Sequence, residues 1–545
     1  MQLPSTVRHF AAGSLAAIVL WLTFFAHLNA IGLLGPDEPR YAAIAREMAT
    51  THDWVTPRLF AQPWLEKPVL YYWAAALAFR ELSNSEVAAR LPSAIAALLA
   101  AIAVTWAASS FYGRPAGFAG LLISSTCIAS VAFARAATPD MLFSTALAFA
   151  MVTATAFLRR AGALRSPSQS RLGGKNSGSV LLLLFGAWLG AAALAKGPAA
   201  VALAVGSTAL WALTTRHVRR ALALAHPIAL LSFCVVALPW YVLCARRNPD
   251  FIRTFFLLHN VRRYTTDVFQ HHQPFWFFGP VLLLGLLPWT GLLGGVLRDG
   301  LEAWRENSWR ESPGWFFACW AIFPVIFFSV SQSKLPGYVL PSIPPIATLF
   351  ATTLTKSMKE KRKAGWLILV VGVTWVLLAA LPFGPWLNRL PPEARISLAS
   401  HLIPWRAVAA AGGVLIAVLA LARRPLAGFV VSCLLFAGLA EIGSLRFLPQ
   451  LDPVLSARTA AEVLASSAGV REGLLAYEVP RDWRYGLDFY LGRGIEEWTP
   501  QVTGPAWVCT TPAGANQLVR SSETIRFLER VSPETLLVRV ERTGP

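Results

Sequence analysis

The stretch AAGSLAAIVLWLTFFAHLNAIGLL, residues 11–34, contains no Asp, Glu, Lys or Arg over 24 residues. A membrane-spanning helix needs about 20 predominantly apolar residues, so this stretch predicts such a helix. It is too long for the apolar core of a signal peptide. The next segment, GPDEPRYA at 35–42, is polar and holds three charged residues. The chain therefore opens with a membrane span that ends at a charged loop.

The composition extends this conclusion to most of the chain. Of the 545 residues, 55% are hydrophobic and only 14% are charged, which is outside the balance of a soluble globular protein. We predict an all-α polytopic membrane domain over residues 1–445 and a small C-terminal α/β domain over 446–545. Thirteen spans are expected, near residues 11–34, 87–110, 115–135, 139–158, 179–195, 198–214, 222–244, 275–297, 313–331, 335–355, 364–387, 403–421 and 425–445.

The charge distribution predicts the orientation of these spans. The formal net charge is +19, but the last 100 residues hold 11 Arg, no Lys and 12 acidic residues, so the excess belongs to the apolar part. With a cytoplasmic N-terminus, the inner loops carry most of the clustered Lys and Arg, as the positive-inside rule requires. The basic residues are not interleaved with stacking aromatic residues, which argues against nucleic acid as a partner.

Loops 35–86 and 245–274 and the domain 446–545 then lie on the outer side, which is the periplasm of a Gram-negative cell, with the spans in its inner membrane. The segment 68–79 is too short to span and predicts an interfacial helix. In the last domain we expect helices at 452–469 and 514–522 and strands at 473–479, 506–510 and 535–541. The six cysteines have no CxxC spacing, so neither a disulfide framework nor a thiolate zinc site follows.

The acidic pair of GPDEPRYA is the first candidate site. Asp37, Glu38, Arg40 and Tyr41 follow directly after the first span, where such residues can bind an anionic lipid headgroup or position an acceptor. The alternative is a solvated loop, because Asp and Glu also favour the first turn of a helix.

The segment QPWLEKPVLYYW, residues 62–73, is the second candidate. Lys67 precedes a predicted helix, where its charge opposes the helix dipole, and a phosphate partner would explain it. Glu66 and Tyr71 lie beside it. The alternative is a lysine that reaches the lipid headgroups without a specific ligand.

One further charged motif, LLHNVRRY, lies in the loop 245–274, and three others lie at the ends of predicted spans. Charges at such places are costly and usually face a cavity. The residues are Arg135 and Asp140 in ARAATPDML, Lys196 in ALAKGPAA, Lys334 and Tyr338 in SQSKLPGYVLP, and Asn260, Arg262 and Arg263 in LLHNVRRY.

A metal is a further possibility in the outer loops. No cofactor is required by the sequence, but Glu66 and His259, with or without His271 or His272, are candidate ligands for a divalent cation such as zinc. The alternative is a set of hydrogen-bonded loop histidines.

In their order and spacing, GPDEPRY, LEKP, ARAATPD, AKGP, HN-x-x-RY, QPFW and SKLPGY resemble the lipid-phosphate-dependent membrane glycosyltransferases of the GT-C type. Among these, the chain is most similar to the undecaprenyl phosphate–aminoarabinose:lipid A arabinosyl transferases, relatives of the protein O-mannosyltransferases. The resemblance covers nearly the whole chain. It implies transfer of 4-amino-4-deoxy-L-arabinose from undecaprenyl phosphate to a phosphate of lipid A, which confers polymyxin resistance.

The resemblance also implies roles for the candidate residues. Asp37, Lys67 and Arg263 would be catalytic, with the two cations on phosphate and Asp37 on the acceptor or the sugar amine. Two arginines follow HN, so Arg262 competes with Arg263 for the phosphate. The partners would be the carrier-linked sugar donor, the lipid A acceptor and the surrounding membrane lipids. Substrate binding would fall to Glu38, Arg40, Tyr41, Glu66, Tyr71, Arg135, Asp140, Lys196, Asn260, Arg262, Lys334 and Tyr338.

Two other functions remain open at this point. A polyprenyl-phosphate-dependent transferase of another sugar, to protein or glycan, would have the same donor site. A lipid transporter would more often show charges in the middle of its helices and an internal repeat. We find no such repeat, and the polar candidates collect at one membrane face, so a transferase is favoured.

Overall fold

The computed structural model describes residues 5–83, 85–165, 177–262, 264, 273–381, 392–466, 473–502, 504–520, 523–532 and 535–542. The first helices are α1 (Ser5–Leu20), α2 (Asp37–Thr51), α3 (Leu70–Glu81), α4 (Ser85–Tyr112), α5 (Arg114–Ser125), α6 (Ile128–Ala134), α7 (Asp140–Arg160), α8 (Ser177–Lys196), α9 (Ala199–Thr215), α10 (Val218–Leu222) and α11 (Pro227–Arg247). π-Helical turns occupy Trp21–Phe25 and Ile252–Arg262.

The later helices are α12 (Phe278–Gly285), α13 (Leu292–Arg305), α14 (Pro313–Val330), α15 (Ile343–Ser357), α16 (Lys361–Ala380), α17 (Pro392–Leu421), α18 (Pro425–Ile442), α19 (Leu448–Leu455), α20 (Arg458–Ser466), α21 (Arg481–Leu491) and α22 (Pro512–Arg520). A 3₁₀ segment, Pro336–Ser342, precedes α15, and a π-helical turn, Gly443–Phe447, follows α18. The strands are β1 (Arg58–Leu59), β2 (Gln62–Pro63), β3 (Leu474–Tyr477), β4 (Glu496–Glu497), β5 (Ala506–Thr510), β6 (Glu523–Arg530) and β7 (Leu536–Arg542).

The long helices lie at the sequence positions that were predicted to span the membrane. Among the described residues, nine helices are long and apolar enough to span a membrane, or eleven if two bent helix pairs each count as one span. Two shorter apolar helices, Phe10–Phe25 and Ala199–Thr215, lie where the remaining two spans were predicted. A mostly helical, multi-pass membrane protein is thus confirmed, while the number of spans stays a prediction.

Three predicted spans differ in shape from the expected straight helices. The first ends at Phe25 rather than at residue 34, because the backbone leaves the helical conformation at Ala26 and His27. Arg90 then satisfies the carbonyls of Leu28, Ile31 and Gly32, which have no helical partners. The span predicted at 115–135 is bent by 63° between α5 and α6. The span predicted at 275–297 is bent by 111° between α12 and Trp289–Arg305, next to Pro288, which has no amide hydrogen for a helix.

Small side chains allow the central helices to approach closely. Buried alanines line α4 and α7, and the hydroxyl of Thr145 in α7 donates to the carbonyl of Ala96 in α4 at 2.7 Å. Small residues and interhelical hydrogen bonds of this kind drive helix association in lipid. The helix predicted at 68–79 is found as α3, while its interfacial position stays a prediction, and α2 begins at the acidic pair of GPDEPRYA.

The C-terminal residues form a mixed five-stranded sheet in the order β4-β3-β5-β7-β6. Strand β3 pairs parallel with β4 and β5, whereas β7 pairs antiparallel with β5 and β6. The three predicted strands and the helix at 514–522 are found as β3, β5, β7 and α22. The helix predicted at 452–469 is wrong in its continuity, because the chain is extended at Ser456, which forms a β-bridge with Leu34.

Candidate active site

Arg40 lies at the centre of the first group of candidate residues. It belongs to the first turn of α2 and is 5% exposed. Its guanidinium donates to Asp37 at 2.5 Å and lies 3.6 Å from Glu66. Burial works against the charge of Arg40, but the carboxylates of Glu66 and Asp37 outweigh it, and the pKa of Arg40 is raised. The site thus contains a permanent, buried cation.

Aromatic rings surround this guanidinium. The rings of Trp64, Tyr41 and Tyr485 have centroids 5.1, 5.2 and 5.5 Å from the Arg40 guanidinium carbon. Such distances correspond to cation–π contacts. Tyr41 and Trp64 belong to the segment 35–86, whereas Tyr485 lies in α21.

Three buried donor atoms in this region lack a hydrogen-bond partner within the described parts of the chain. They are Nε of Arg40, Nε1 of Trp64 and the hydroxyl of Tyr72. Burial raises the pKa of the Tyr72 and Tyr41 phenols, so both stay protonated at neutral pH. Buried donors normally have acceptors, and the oxygens of a phosphate would supply several at once.

A second group forms where α7 begins and α8 ends. The Lys196 ammonium makes an ion pair with Asp140 and lies 4.9 Å from the centre of the Tyr338 ring. A carboxylate at a helix start and a cation at a helix end both agree with the helix dipoles. Gly337 is required here, because a Cβ at this position would lie 2.8 Å from Asp140 Oδ1.

Lys67 connects the two groups. It is adjacent in sequence to Glu66, which lies beside Arg40, and its charge also acts on Asp140. Three cations, Arg40, Lys67 and Lys196, are thereby gathered at one end of the helical bundle although the sequence separates them by up to 156 positions.

His259 lies next to Glu66, with 3.8 Å between Nε2 and Oε1. Two ligands of one tetrahedral zinc lie roughly 3.3 Å apart, so this pair could supply two ligands after a small shift. Within the ranges that the structure describes, no group of three His, Cys, Asp or Glu side chains could hold a metal. His271 and His272 lie outside the described residues.

Several other predicted residues bind the protein itself. Glu38 forms a buried ion pair with Arg90 at 2.7 Å. The hydroxyl of Tyr71 donates to the carbonyl of Ala89 at 2.8 Å. Arg135 donates to the Ser444 hydroxyl and the Ala26 carbonyl, and Lys334 donates to the Ser331 carbonyl at 2.6 Å. These contacts join helices and loops, so the four residues contribute to the framework of the site.

The segment 245–274 is described only in part. Arg262 is exposed at the end of the Ile252–Arg262 turn, and Asn260 lies in the same turn. Arg263 and the side chain of Asn260 lie outside the described residues, so their assignment to phosphate stays a prediction.

Sequence reasoning missed Trp64, Tyr72 and Tyr485 as members of the site. Trp64 precedes Glu66 by two residues and Tyr72 follows Lys67 by five, and aromatic residues near a candidate cation are the available signal. Tyr485 could not be connected with Arg40, because 445 positions separate them.

Comparison with known proteins identifies the relatives of this chain. The family model of dolichyl-phosphate-mannose-protein mannosyltransferases matches residues 11–255. An undecaprenyl phosphate-alpha-4-amino-4-deoxy-L-arabinose arabinosyl transferase of Edwardsiella ictaluri is 32% identical over 68% of this chain and 65% of its own length. Its counterpart in Erwinia tasmaniensis is 32% identical over 71% of this chain and 69% of its own length.

The matched region thus spans about two thirds of these relatives. Among solved structures, ArnT from Cupriavidus metallidurans bound to undecaprenyl phosphate superposes with a TM-score of 0.80 and 22% sequence identity, covering 99% of this chain and all of that chain. At this level of identity the match establishes the fold.

Proposed function

Because this chain belongs to the family of undecaprenyl phosphate-alpha-4-amino-4-deoxy-L-arabinose arabinosyl transferases, we propose that it transfers 4-amino-4-deoxy-L-arabinose from undecaprenyl phosphate to a phosphate of lipid A. The observation that carries this proposal is the group of three cations, Arg40, Lys67 and Lys196, at one end of the bundle. Two of them are held by carboxylates, which fixes their positions before a substrate arrives.

The chemistry of the transfer calls for such a site. An oxygen of the acceptor phosphate attacks the anomeric carbon of the sugar, and the bond between that carbon and the carrier phosphate oxygen breaks. The electron pair of the broken bond stays on the carrier, which leaves as undecaprenyl phosphate. The attacking phosphate is already ionised, so the main requirement is stabilisation of negative charge on the leaving phosphate. Preorganised cations and buried donors supply this stabilisation without reorganisation during the reaction.

Each part of the site has a distinct proposed role. Lys67 and Arg40 contact the carrier phosphate, and Arg263 or Arg262 completes its binding from the second outer loop. The Tyr41 hydroxyl donates to the headgroup. Asp37, whose side chain is 46% exposed, is open to the acceptor or the sugar amine.

Asp140 and Lys196 would form the opposite wall of this site. Tyr338 lies against Lys196, so it limits the positions that the ammonium group can adopt. The apolar surfaces of the surrounding helices would accommodate the polyprenyl chain in the bilayer.

A divalent cation such as zinc would be held by Glu66 and His259, with a further ligand from outside the described residues. When bound, it would add positive charge beside Arg40. Without it, Glu66 still has a function, because it fixes the Arg40 guanidinium.

We further propose that the site and the C-terminal domain face the periplasm and that the spans lie in the inner membrane of a Gram-negative cell. Support comes from the opposite ends of the helices. The far ends of α7, α9, α15 and α17 are followed or occupied by clustered basic residues: Arg159 and Arg160, Arg216, Lys356 to Lys363, and Arg423 with Arg424. Such clusters mark the cytoplasmic side.

A second acceptor class is favoured by one observation, the match of residues 11–255 to protein mannosyltransferases. That match concerns the part of the chain that carries the donor site, so a different sugar or a protein acceptor would use the same cations. The acceptor therefore has to be identified by experiment.

The test is transfer by the purified full chain in lipid vesicles. Undecaprenyl phosphate-aminoarabinose and lipid A are supplied, and mass spectrometry detects the added sugar on lipid A. Lys67→Ala should lose transfer, whereas Arg80→Ala, which removes an exposed cation at the end of α3, should retain it. If the wild type does not modify lipid A but modifies a peptide, transfer to lipid A is rejected and transfer to protein takes its place. In cells, deletion should lower polymyxin resistance.

A further inference from the structure

Helix α21 of the C-terminal domain has two apolar faces that serve different cores. Trp483 and Leu487 belong to the core of the C-terminal domain. Phe489 belongs to the core of the membrane domain, and Tyr485 packs against that core. Residues four apart lie on one side of an α-helix, so each face is formed by such a pair. Helix α21 is therefore shared between the two parts of the protein.

Polar contacts hold α21 against the first outer loop. Arg46 of α2 donates to the carbonyl of Phe489 at 2.7 Å, and its guanidinium lies 4.2 Å from the centre of the Phe489 ring. The Tyr490 hydroxyl donates to Glu86 at 3.0 Å and accepts from the amide of Leu33 at 2.8 Å. The position of α21 relative to α2 is thus determined by directional bonds.

Two further contacts leave little freedom at this junction. Arg458 of α20 lies 3.2 Å from Glu86 and 2.7 Å from Asp452. A Cβ on Gly32 would lie 2.7 Å from the Tyr490 hydroxyl, which shows how closely the loop approaches α21.

Through this docking, Tyr485 reaches the buried cation of the site. Its ring lies 5.5 Å from the Arg40 guanidinium carbon and completes the enclosure begun by Tyr41 and Trp64. The carboxylates of Asp37 and Glu66 hold the nitrogens of Arg40, whereas the rings restrict the plane of the guanidinium. A planar guanidinium binds phosphate through a fixed fork, so the orientation of that plane matters for binding.

We propose that Tyr485 is a positioning residue that orients Arg40 toward the carrier phosphate, so that the C-terminal domain completes the phosphate-binding site. This inference rests on the proposed function, because it assumes that Arg40 meets undecaprenyl phosphate. The inference gives the C-terminal domain a role in the reaction, because that domain contributes a side chain to the phosphate-binding site.

The experiment compares Tyr485→Leu and Tyr485→Phe in the full-length protein. The readouts are the dissociation constant for undecaprenyl phosphate and the turnover of the transfer reaction. Loss of a desolvated cation–π contact weakens binding by roughly 2- to 30-fold, which is expected for Tyr485→Leu. Tyr485→Phe retains the ring and should bind within about 2-fold of the wild type, on the same scale.

The matched control is Tyr477→Leu. Tyr477 lies in β3 of the same domain and contacts Trp498 rather than Arg40. This variant should bind the carrier normally. If Tyr485→Leu lowers the thermal midpoint of the protein, Tyr485→Met, which preserves more of the side-chain length, takes its place in the comparison.

A double-mutant cycle separates positioning from general packing. In an Arg40→Gln background, Tyr485→Leu should cause no further loss of binding, because the cation that Tyr485 orients has been removed. Additive losses, or wild-type binding by Tyr485→Leu, would overturn the inference. Failure of the wild-type protein to bind undecaprenyl phosphate would instead reject the proposed function.

Discussion

Arg90 donates to the carboxylate of Glu38 at 2.7 Å, and both side chains are buried. The same carboxylate accepts from the amides of Leu34 and Ala137 at 2.9 and 2.8 Å. The two acidic residues that follow the first span, Asp37 and Glu38, therefore have different roles. Glu38 connects the segment 35–86 to α4 and to the turn before α7, whereas Asp37 keeps an exposed side chain beside Arg40.

These different roles predict that substitution of Glu38 lowers stability, whereas substitution of Asp37 lowers turnover. Glu38→Ala leaves the Arg90 charge buried without its partner, which should cost about 3–5 kcal/mol of stability. Asp37→Asn should lower turnover while changing the thermal midpoint little. Thermal unfolding and transfer are measured on the same detergent-solubilised preparations. A Glu38→Ala protein with a normal midpoint and no transfer would assign Glu38 to substrate instead.

Lys67 should make a large contribution to the rate. Removing a preorganised donor to the carrier phosphate costs roughly 2–4 kcal/mol of transition-state stabilisation, so Lys67→Ala should slow transfer by about 30- to 1000-fold. Lys67→Arg should recover part of this loss if the site needs a point charge. Steady-state transfer rates provide the measurement, with Arg80→Ala as the control. A Lys67→Ala rate equal to that of the wild type would show a lysine that only reaches the lipid headgroups.

The metal proposal predicts bound zinc that depends on Glu66 and His259. Elemental analysis of the purified wild type should find the metal, and His259→Ala should remove it. His401→Ala, which changes a histidine near Gln450, should not. Chelation should lower transfer, and added zinc should restore it. Full activity after chelation, with no metal in the wild type, would leave Glu66 as the partner of Arg40 alone.

Asp488 should make the C-terminal domain more stable at mildly acidic pH. Burial raises its pKa to about 6, so the folded state binds this proton more tightly than the unfolded state does. The stabilisation is present at low pH and is lost as the pH rises through 6. Lowering the pH from 7.5 to 5 should therefore stabilise the domain by roughly 1 kcal/mol from this group.

Hydrogen exchange of the β3 and β5 amides in the full chain measures this effect. Asp488→Asn keeps an acceptor for the Ile495 amide and should weaken the pH dependence. Glu462→Gln, at an exposed position, should leave it intact. An unchanged slope in Asp488→Asn would assign the pH dependence to another group.

The proposed orientation is tested by cysteine labelling in a cysteine-free background. Asn516 is exposed on α22, and Lys359 is exposed in the turn between α15 and α16. Each is replaced by cysteine in a separate variant. With an impermeant maleimide on spheroplasts, Asn516→Cys should react and Lys359→Cys should react only after lysis. The reverse pattern would invert the topology.

The sequence by itself determined the class of the protein and most of its helices. An uninterrupted apolar run of about 20 residues has few other structures available, because its backbone groups must be satisfied within the segment. The same local logic predicted α3 and the strands β3, β5 and β7. It also identified Asp37, Arg40, Lys67, Asp140 and Lys196 as unusual, since charges at the ends of spans need partners.

The tertiary structure decided which partners these charges have. Hydropathy does not show that Glu38 meets Arg90, that Asp140 meets Lys196, or that the first helix stops at Phe25 and leaves its following carbonyls to Arg90. Nor does it connect Tyr485 with Arg40. Such contacts depend on how separate helices dock, and docking is set by packing and by hydrogen bonds between distant residues, whereas helix formation depends on neighbours along the chain.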